Sequence, residues 1–129
     1  AMYGVREYAV KKGVLEHIEF MGSRTDISRF YQAMDLFLFP SFHEGLPIAG
    51  IEAQTADLPC LFSDAITSEI MITDRAVSVP LDLGASEWAK KAILLAKAQG
   101  RENVADKIIA LGYDAANMGK RMERIYEQQ

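Results

Sequence analysis

Two glutamates eight positions apart, Glu44 and Glu52, bracket a segment whose residue types suit the binding of an anion. The run reads Pro40-Ser41-Phe42-His43-Glu44-Gly45-Leu46-Pro47 and continues through Ile48 to Glu52. Pro47 fits the first turn of a helix, where its missing N–H removes no intrahelical bond. The N–H groups of Gly45, Leu46 and Ile48 would then lie at an unsatisfied helix N-terminus, which attracts negative charge. Gly45 lets a ligand approach the backbone closely. If the whole interval were helical, Glu44 and Glu52 would be separated by a rise of about 12 Å. Carboxylates that far apart cannot share a proton or a metal. They can hold hydroxyl groups at two ends of an extended ligand, with its phosphates between them. The same residues also fit ordinary strand–loop–helix architecture, with Glu44 as a capping or solvated carboxylate.

Other reactive side chains have plainer readings. His43 is expected to orient its loop rather than to move a proton, and His17 to lie on the surface. Cys60 sits in an apolar run and reads as a buried small hydrophobe. Asp64 follows a strand end, where it can touch a ligand or cap a turn. Trp88 shares a helical face with Ala92 and Leu95, hence a core position. Lys90, Lys91 and Lys97 form a solvated face.

The elements that must position this segment follow from hydrophobic periodicity. Val5, Tyr8 and Ala9 predict a helix over residues 3–12, ended by Gly13 in the left-handed region. Residues 18–21 predict a short strand closed by Gly22-Ser23. Asp26 suits the N-cap of a helix that carries Ile27, Phe30, Tyr31 and Met34 on one face. Leu36-Phe37-Leu38-Phe39 is uninterruptedly apolar, which predicts a strand covered on both faces as in a parallel sheet. A helix over 47–56, a strand over 58–62, a short helix over 66–72 and a strand over 76–79 follow. Ser86 is expected to cap a helix bearing Trp88, Ala92, Leu95 and Ala96. Helices over 102–111 and from Asp114 complete the chain. Apolar strands alternating with amphipathic helices predict an α/β fold, a Rossmann-like three-layer parallel sheet of about four strands. Ligands of such sheets bind at the carboxyl ends of the strands.

Composition narrows the class. The chain has 129 residues, half of them hydrophobic, which fits one domain over residues 1–129 and excludes disorder. A lone cysteine excludes a disulfide scaffold and suits a reducing, cytoplasmic setting. The net charge of -4 argues against nucleic acid as a partner. No apolar run approaches the ~20 residues of a membrane span.

The frame Phe-Pro-Ser-x-x-Glu-Gly-Leu-Pro followed by Glu-Ala-Gln, with its Glu-x7-Glu spacing, resembles the donor-binding domain of GT-B glycosyltransferases of family 4, the retaining type. The capsular and exopolysaccharide subgroup is the nearest in pattern. The likeness extends to Leu58-Pro59-Cys60, to Ser63-Asp64 with Ile66-Thr67 and Glu69, to Phe20-Met21-Gly22 and to Glu87-Trp88-Ala89. The resemblance implies that Glu44 is the catalytic-site carboxylate beside the donor sugar. It implies that the backbone of Gly45, Leu46, Pro47 and Ile48 holds sugar and diphosphate, and that Glu52 accepts hydrogen bonds from the ribose. The loop Gly22-Ser23-Arg24 would border the nucleobase. The implied donor is a nucleotide sugar, UDP-linked, bound without a metal or other cofactor.

Two departures from the family pattern stand out. Asp57 replaces a glycine just after the helix, and Asp tolerates the left-handed region better than most residues. The family's donor domain also begins with a strand, a Gly-rich turn, an Arg and a Lys on the diphosphate, a helix and a second strand. The 129 residues match none of these parts, and an N-terminal acceptor domain is expected to be missing from them as well. The chain is therefore expected to be a partial domain that does not turn over alone and is completed by the acceptor domain or a partner chain. In the strand order 3-2-1-4-5-6 it would supply strands 3 to 6. Residues 18–21 would lose both neighbours and 36–39 would gain a bare edge. That edge is expected to take up residues 18–21 or to pair two copies into a homodimer. The alternative from another class is a non-catalytic nucleotide-binding module.

Overall fold

The computed structural model describes residues 2–97, 100–101 and 105–113. Its centre is a parallel sheet of three strands, β1 (Phe37–Phe39), β2 (Cys60–Ser63) and β3 (Ala76–Val79), in that spatial order. Phe37 lies opposite Cys60 in β1–β2, and Cys60 opposite Ala76 in β2–β3. Helices α1 (Met2–Lys11) and α2 (Ile27–Ala33) precede the sheet, and α3 (Ile48–Thr55) crosses from β1 to β2. Helices α4 (Gly84–Ala96) and α5 (Ala105–Ala110) follow it. The α/β class, the parallel pairing and the order of the last three strands agree with the sequence reading.

Each face of the sheet packs its own core. Alternate residues of a strand point to opposite faces. Cys60, Phe62 and Ala76 therefore join Tyr31, Ile51, Ala53, Leu58 and Ile70 on one side. Leu61 and Val79 meet Trp88 on the other, with Val77, Ala92 and Leu95 around them. Trp88 completes that side by donating its Nε1 hydrogen to the Pro80 carbonyl at 2.9 Å. Phe37, Phe39 and Phe62 make a ring cluster with centroids 5.7–6.4 Å apart. Helix α3 approaches β2 so closely that a Cβ on Gly50 would lie 2.8 Å from the Phe62 ring.

Two helices end alike. The Gly13 N–H donates to Val10 and the Val14 N–H to Ala9, with Gly13 at φ 68°. After α3, the Asp57 N–H donates to Gln54 and the Leu58 N–H to Ala53. This is a Schellman ending, which needs a left-handed residue, and Asp57 supplies it at φ 53°. The aspartate that replaces the family's glycine thus keeps the geometry, and its carboxylate lies 3.5 Å from Arg75 Nε.

Several expectations need correction. Residues 18–21 form no strand and do not move beside β1; a 3₁₀ turn, Leu15–His17, precedes extended backbone without a ladder partner. The sheet therefore has three strands rather than four. A strand is stabilised by its neighbours, and this segment has none among the described residues. The strand over 36–39 is not covered on both faces, because Leu38 is 48% exposed beside α4. Asp26 does stand at the N-cap of α2 and its carbonyl accepts from the Arg29 N–H at 3.0 Å, but its carboxylate makes no cap bond and accepts instead a fork of hydrogen bonds from Arg24 at 2.8 and 2.9 Å. Helix α4 starts at Gly84, which places Ser86 inside its first turn rather than at its cap. The segment over 66–72 contracts to a 3₁₀ turn, Ser68–Ile70. The helix expected from Asp114 lies outside the described residues.

Candidate functional site

The loop after β1 leads to the Glu44 region at the carboxyl end of the sheet. Ser63, the last residue of β2, ties this loop down by donating its hydroxyl hydrogen to the Ser41 carbonyl. Its Oγ also accepts from the Ala65 N–H at 3.3 Å. Glu44 then pairs in parallel with Ile66, in the loop after β2. The loops of two adjacent strands are thereby fixed to each other, while the Glu44 side chain stays exposed.

Pro47 is the N-cap of α3 rather than its first residue, with φ -74° and ψ 117°. Its carbonyl accepts from the Gly50 N–H at 3.1 Å and the Ile51 N–H at 3.3 Å. The N–H groups of Leu46 and Ile48 have no acceptor among the described residues. Pro47 is buried, Leu46 packs against the main core, and Gly45 and Ile48 are exposed. The sequence-predicted stretch of backbone is therefore presented at one surface, beside Glu44, at the positive end of the α3 dipole.

Glu52 lies one turn further along α3. Only Ile48 to Glu52 is helical within the interval, a rise of about 6 Å rather than the all-helical 12 Å. The Glu52 carboxylate is exposed and accepts a 3.4 Å hydrogen bond from the Tyr31 hydroxyl. It borders a cavity of about 250 Å³ lined also by Ile27, Ser28, Gln32, Thr55 and Ala56. Burial, and next the Glu52 charge, hold the Tyr31 phenol above its ordinary range, so it remains a hydrogen-bond donor.

Gly22, Ser23 and Arg24 form an exposed turn ahead of α2, with Gly22 at φ 63°. Arg24 is spent within this turn. It forks onto Asp26, which raises its pKa and lowers that of Asp26, and its guanidinium stacks 4.9 Å from the Phe30 centroid. Arg101 reinforces the same region by donating to the carbonyls of Tyr31 and Met34 at the end of α2. Among the described residues, no three His, Cys, Asp or Glu side chains come together as a metal site would require.

Sequence reasoning gave Gln54 no role of its own, although it carries much of the architecture. It is fully buried on α3. Its Oε1 accepts from the N–H groups of Ile72 and Thr73 at 3.1 and 3.0 Å, and from the Thr73 hydroxyl at 3.3 Å. Its Nε2 donates to the carbonyls of Ile70 and Gly50 at 2.7 and 3.1 Å. This amide locks α3, and with it Glu52, to the chain entering β3. The signal available in the sequence was a polar residue at the inward i+3 position from Ile51.

With this geometry in view, comparison with known proteins is decisive. The family described as glycosyl transferases group 1 matches residues 3–114. The chain belongs to that family. Among its relatives is the protein EpsF of Bacillus subtilis (strain 168), whose name describes it as a glycosyltransferase. It is 33% identical over 116 residues, covering 86% of this chain and 30% of that protein. The UDP-Gal:alpha-D-GlcNAc-diphosphoundecaprenol alpha-1,3-galactosyltransferase of Escherichia coli is 37% identical over 57 residues, 44% of this chain and 15% of its own length. The lipopolysaccharide core biosynthesis mannosyltransferase LpsB of Rhizobium meliloti (strain 1021) is 28% identical over 83 residues, 64% of this chain and 24% of its own. The chain therefore spans less than a third of these relatives. No solved structure matches it. Among the described residues no helix is long and apolar enough to cross a membrane.

Proposed function

We propose that this chain supplies the donor-binding region of a retaining, cytoplasmic glycosyltransferase of polysaccharide biosynthesis. The whole enzyme moves a hexosyl unit from a nucleotide sugar, UDP-linked, to a glycan or lipid-linked acceptor. The observation that carries this reading is the pair Glu44 and Glu52 flanking the open start of α3. Glu44 lies beside the donor sugar as the catalytic-site carboxylate. The backbone of Gly45, Leu46, Pro47 and Ile48 faces sugar and diphosphate, Glu52 takes the ribose hydroxyls, and Gly22, Ser23 and Arg24 border the base. Negative charge that develops on the leaving diphosphate meets N–H groups and a helix dipole already in place. No metal is needed in this arrangement.

Turnover requires the acceptor to be held against this donor, since catalysis by positioning fails when the groups are not assembled. The chain alone is inactive on this reading. A second reading, a binding subunit completed by a partner chain or by a second copy, is favoured by the outer edge of β1. That edge pairs with no strand among the described residues, and Leu38 is exposed beside it.

The test is transfer from UDP-hexoses with and without an acceptor-binding N-terminal half supplied in trans. No transfer by the chain alone is expected, and transfer by the mixture that falls at least ~10²-fold with Glu44→Ala. Transfer that survives Glu44→Ala unchanged overturns the role of Glu44. Light scattering on the chain by itself separates a dimer from a monomer.

A further inference from the structure

We infer that Tyr31 is a positioning residue for the donor, fixing the orientation of the Glu52 carboxylate through its hydroxyl. The inference rests on the proposed role of Glu52 and extends it to a residue on another helix.

Tyr31 and Glu52 come from α2 and α3, twenty-one positions apart in sequence, and meet only because both helices pack on the same face of the sheet. Their environments differ sharply. The Tyr31 side chain is buried, with its ring edge-on to Phe37 at 6.0 Å, whereas Glu52 is exposed. The Arg101 guanidinium donates to the Tyr31 carbonyl at 2.9 Å and fixes its backbone as well. An exposed glutamate samples many rotamers, and a ligand must otherwise supply the ordering. Here the carboxylate of a cavity-lining residue is held at Oε2 by a rigid donor, which leaves Oε1 unused by Tyr31 and able to accept from a ligand hydroxyl. A vicinal diol such as a ribose presents two donors in a fixed geometry. It gains from an acceptor already pointed toward it. The phenol stays protonated through the neutral range, so the anchor does not switch off.

Tyr31→Phe removes the hydroxyl and keeps the ring packing, which separates anchoring from folding. With UDP as the calorimetric probe, the expected result is a loss of about 3- to 10-fold in affinity with an unchanged thermal midpoint in the absence of ligand. Glu52→Gln should weaken UDP binding by itself. In a Glu52→Ala background Tyr31→Phe should cost nothing more, because the hydroxyl has no side-chain acceptor left at that position. The ultraviolet titration of Tyr31 should move part of the way toward the ordinary range in Glu52→Gln with the thermal midpoint unchanged, whereas loss of packing would lower both together. If Tyr31→Phe binds UDP as tightly as the parent while Glu52→Gln does not, the positioning role is overturned and the nucleotide reading stands. If Glu52→Gln binds UDP like the parent, or the parent gives no heat, the reading of Glu52 fails and the role of Tyr31 falls with it.

Discussion

Residues 60–63 and residues 18–21 are both short, largely apolar segments closed by a turn, yet only the first becomes a strand. β2 lies between β1 and β3, with α3 on one face and α4 on the other, and all four of its residues are buried. Residues 18–21 have no ladder partner among the described residues, and Ile18 and Met21 are exposed. The helix that precedes them shares this condition. Of the α1 side chains described, only Ala9 is buried, and Tyr3 is 86% exposed. A strand is therefore a property of its neighbours more than of its composition. The candidate site stands on the side of the molecule where neighbours are present.

This contrast can be broken by substitution. Phe62→Ala should lower the free energy of unfolding by about 3–5 kcal/mol, because the ring is fully buried under α3. Tyr3→Ala should stay within about 0.5 kcal/mol. Denaturant unfolding measures both, and equal losses would erase the distinction between the two regions. Gln54→Leu should cost at least about 1–3 kcal/mol by stranding the N–H groups of Ile72 and Thr73. A neutral Gln54→Leu would mean that α3 is held by packing alone.

The smallest effect sharpens the contrast through pH. Burial pushes the Cys60 thiol from 9.0 up to about 12. The folded state then keeps its proton where the unfolded chain has lost it. The contribution is intact below pH 9 and is lost as pH rises toward 12. Between pH 9 and 10 the loss is about 1 kcal/mol. Cys60→Ala should flatten this part of the stability profile; an unaltered slope would contradict burial of the thiol.

Much of the sheet was legible from local pattern. β2 and β3 are apolar runs between turn residues, and β3 lies where its sequence places it. The start of α3 was legible because Pro47 fixes φ while Gly45 leaves the entering backbone free. Asp57 was legible because aspartate tolerates the left-handed region that the helix ending needs. Residues 18–21 misled because a run of strand-forming residues does not reveal whether a partner lies beside it. Asp26 was legible as the N-cap of α2 but not as the partner of Arg24, which takes its carboxylate, and Leu38 misled because burial of alternate faces depends on what α4 reaches. Gln54 and Tyr31 stayed hidden for a different reason. Their partners lie 16 to 21 positions away, and only the packing of α2, α3 and the 70–73 segment brings them together.

The central claim is that the start of α3, between Glu44 and Glu52, receives the diphosphate and ribose of a nucleotide sugar. The most direct measurement is an amide NMR titration of the chain with UDP at millimolar concentration. The account predicts shifts at the N–H groups of Gly45, Leu46 and Ile48 and around Glu52, with α1 unmoved. No shift at these amides, or shifts confined to α1, would contradict it.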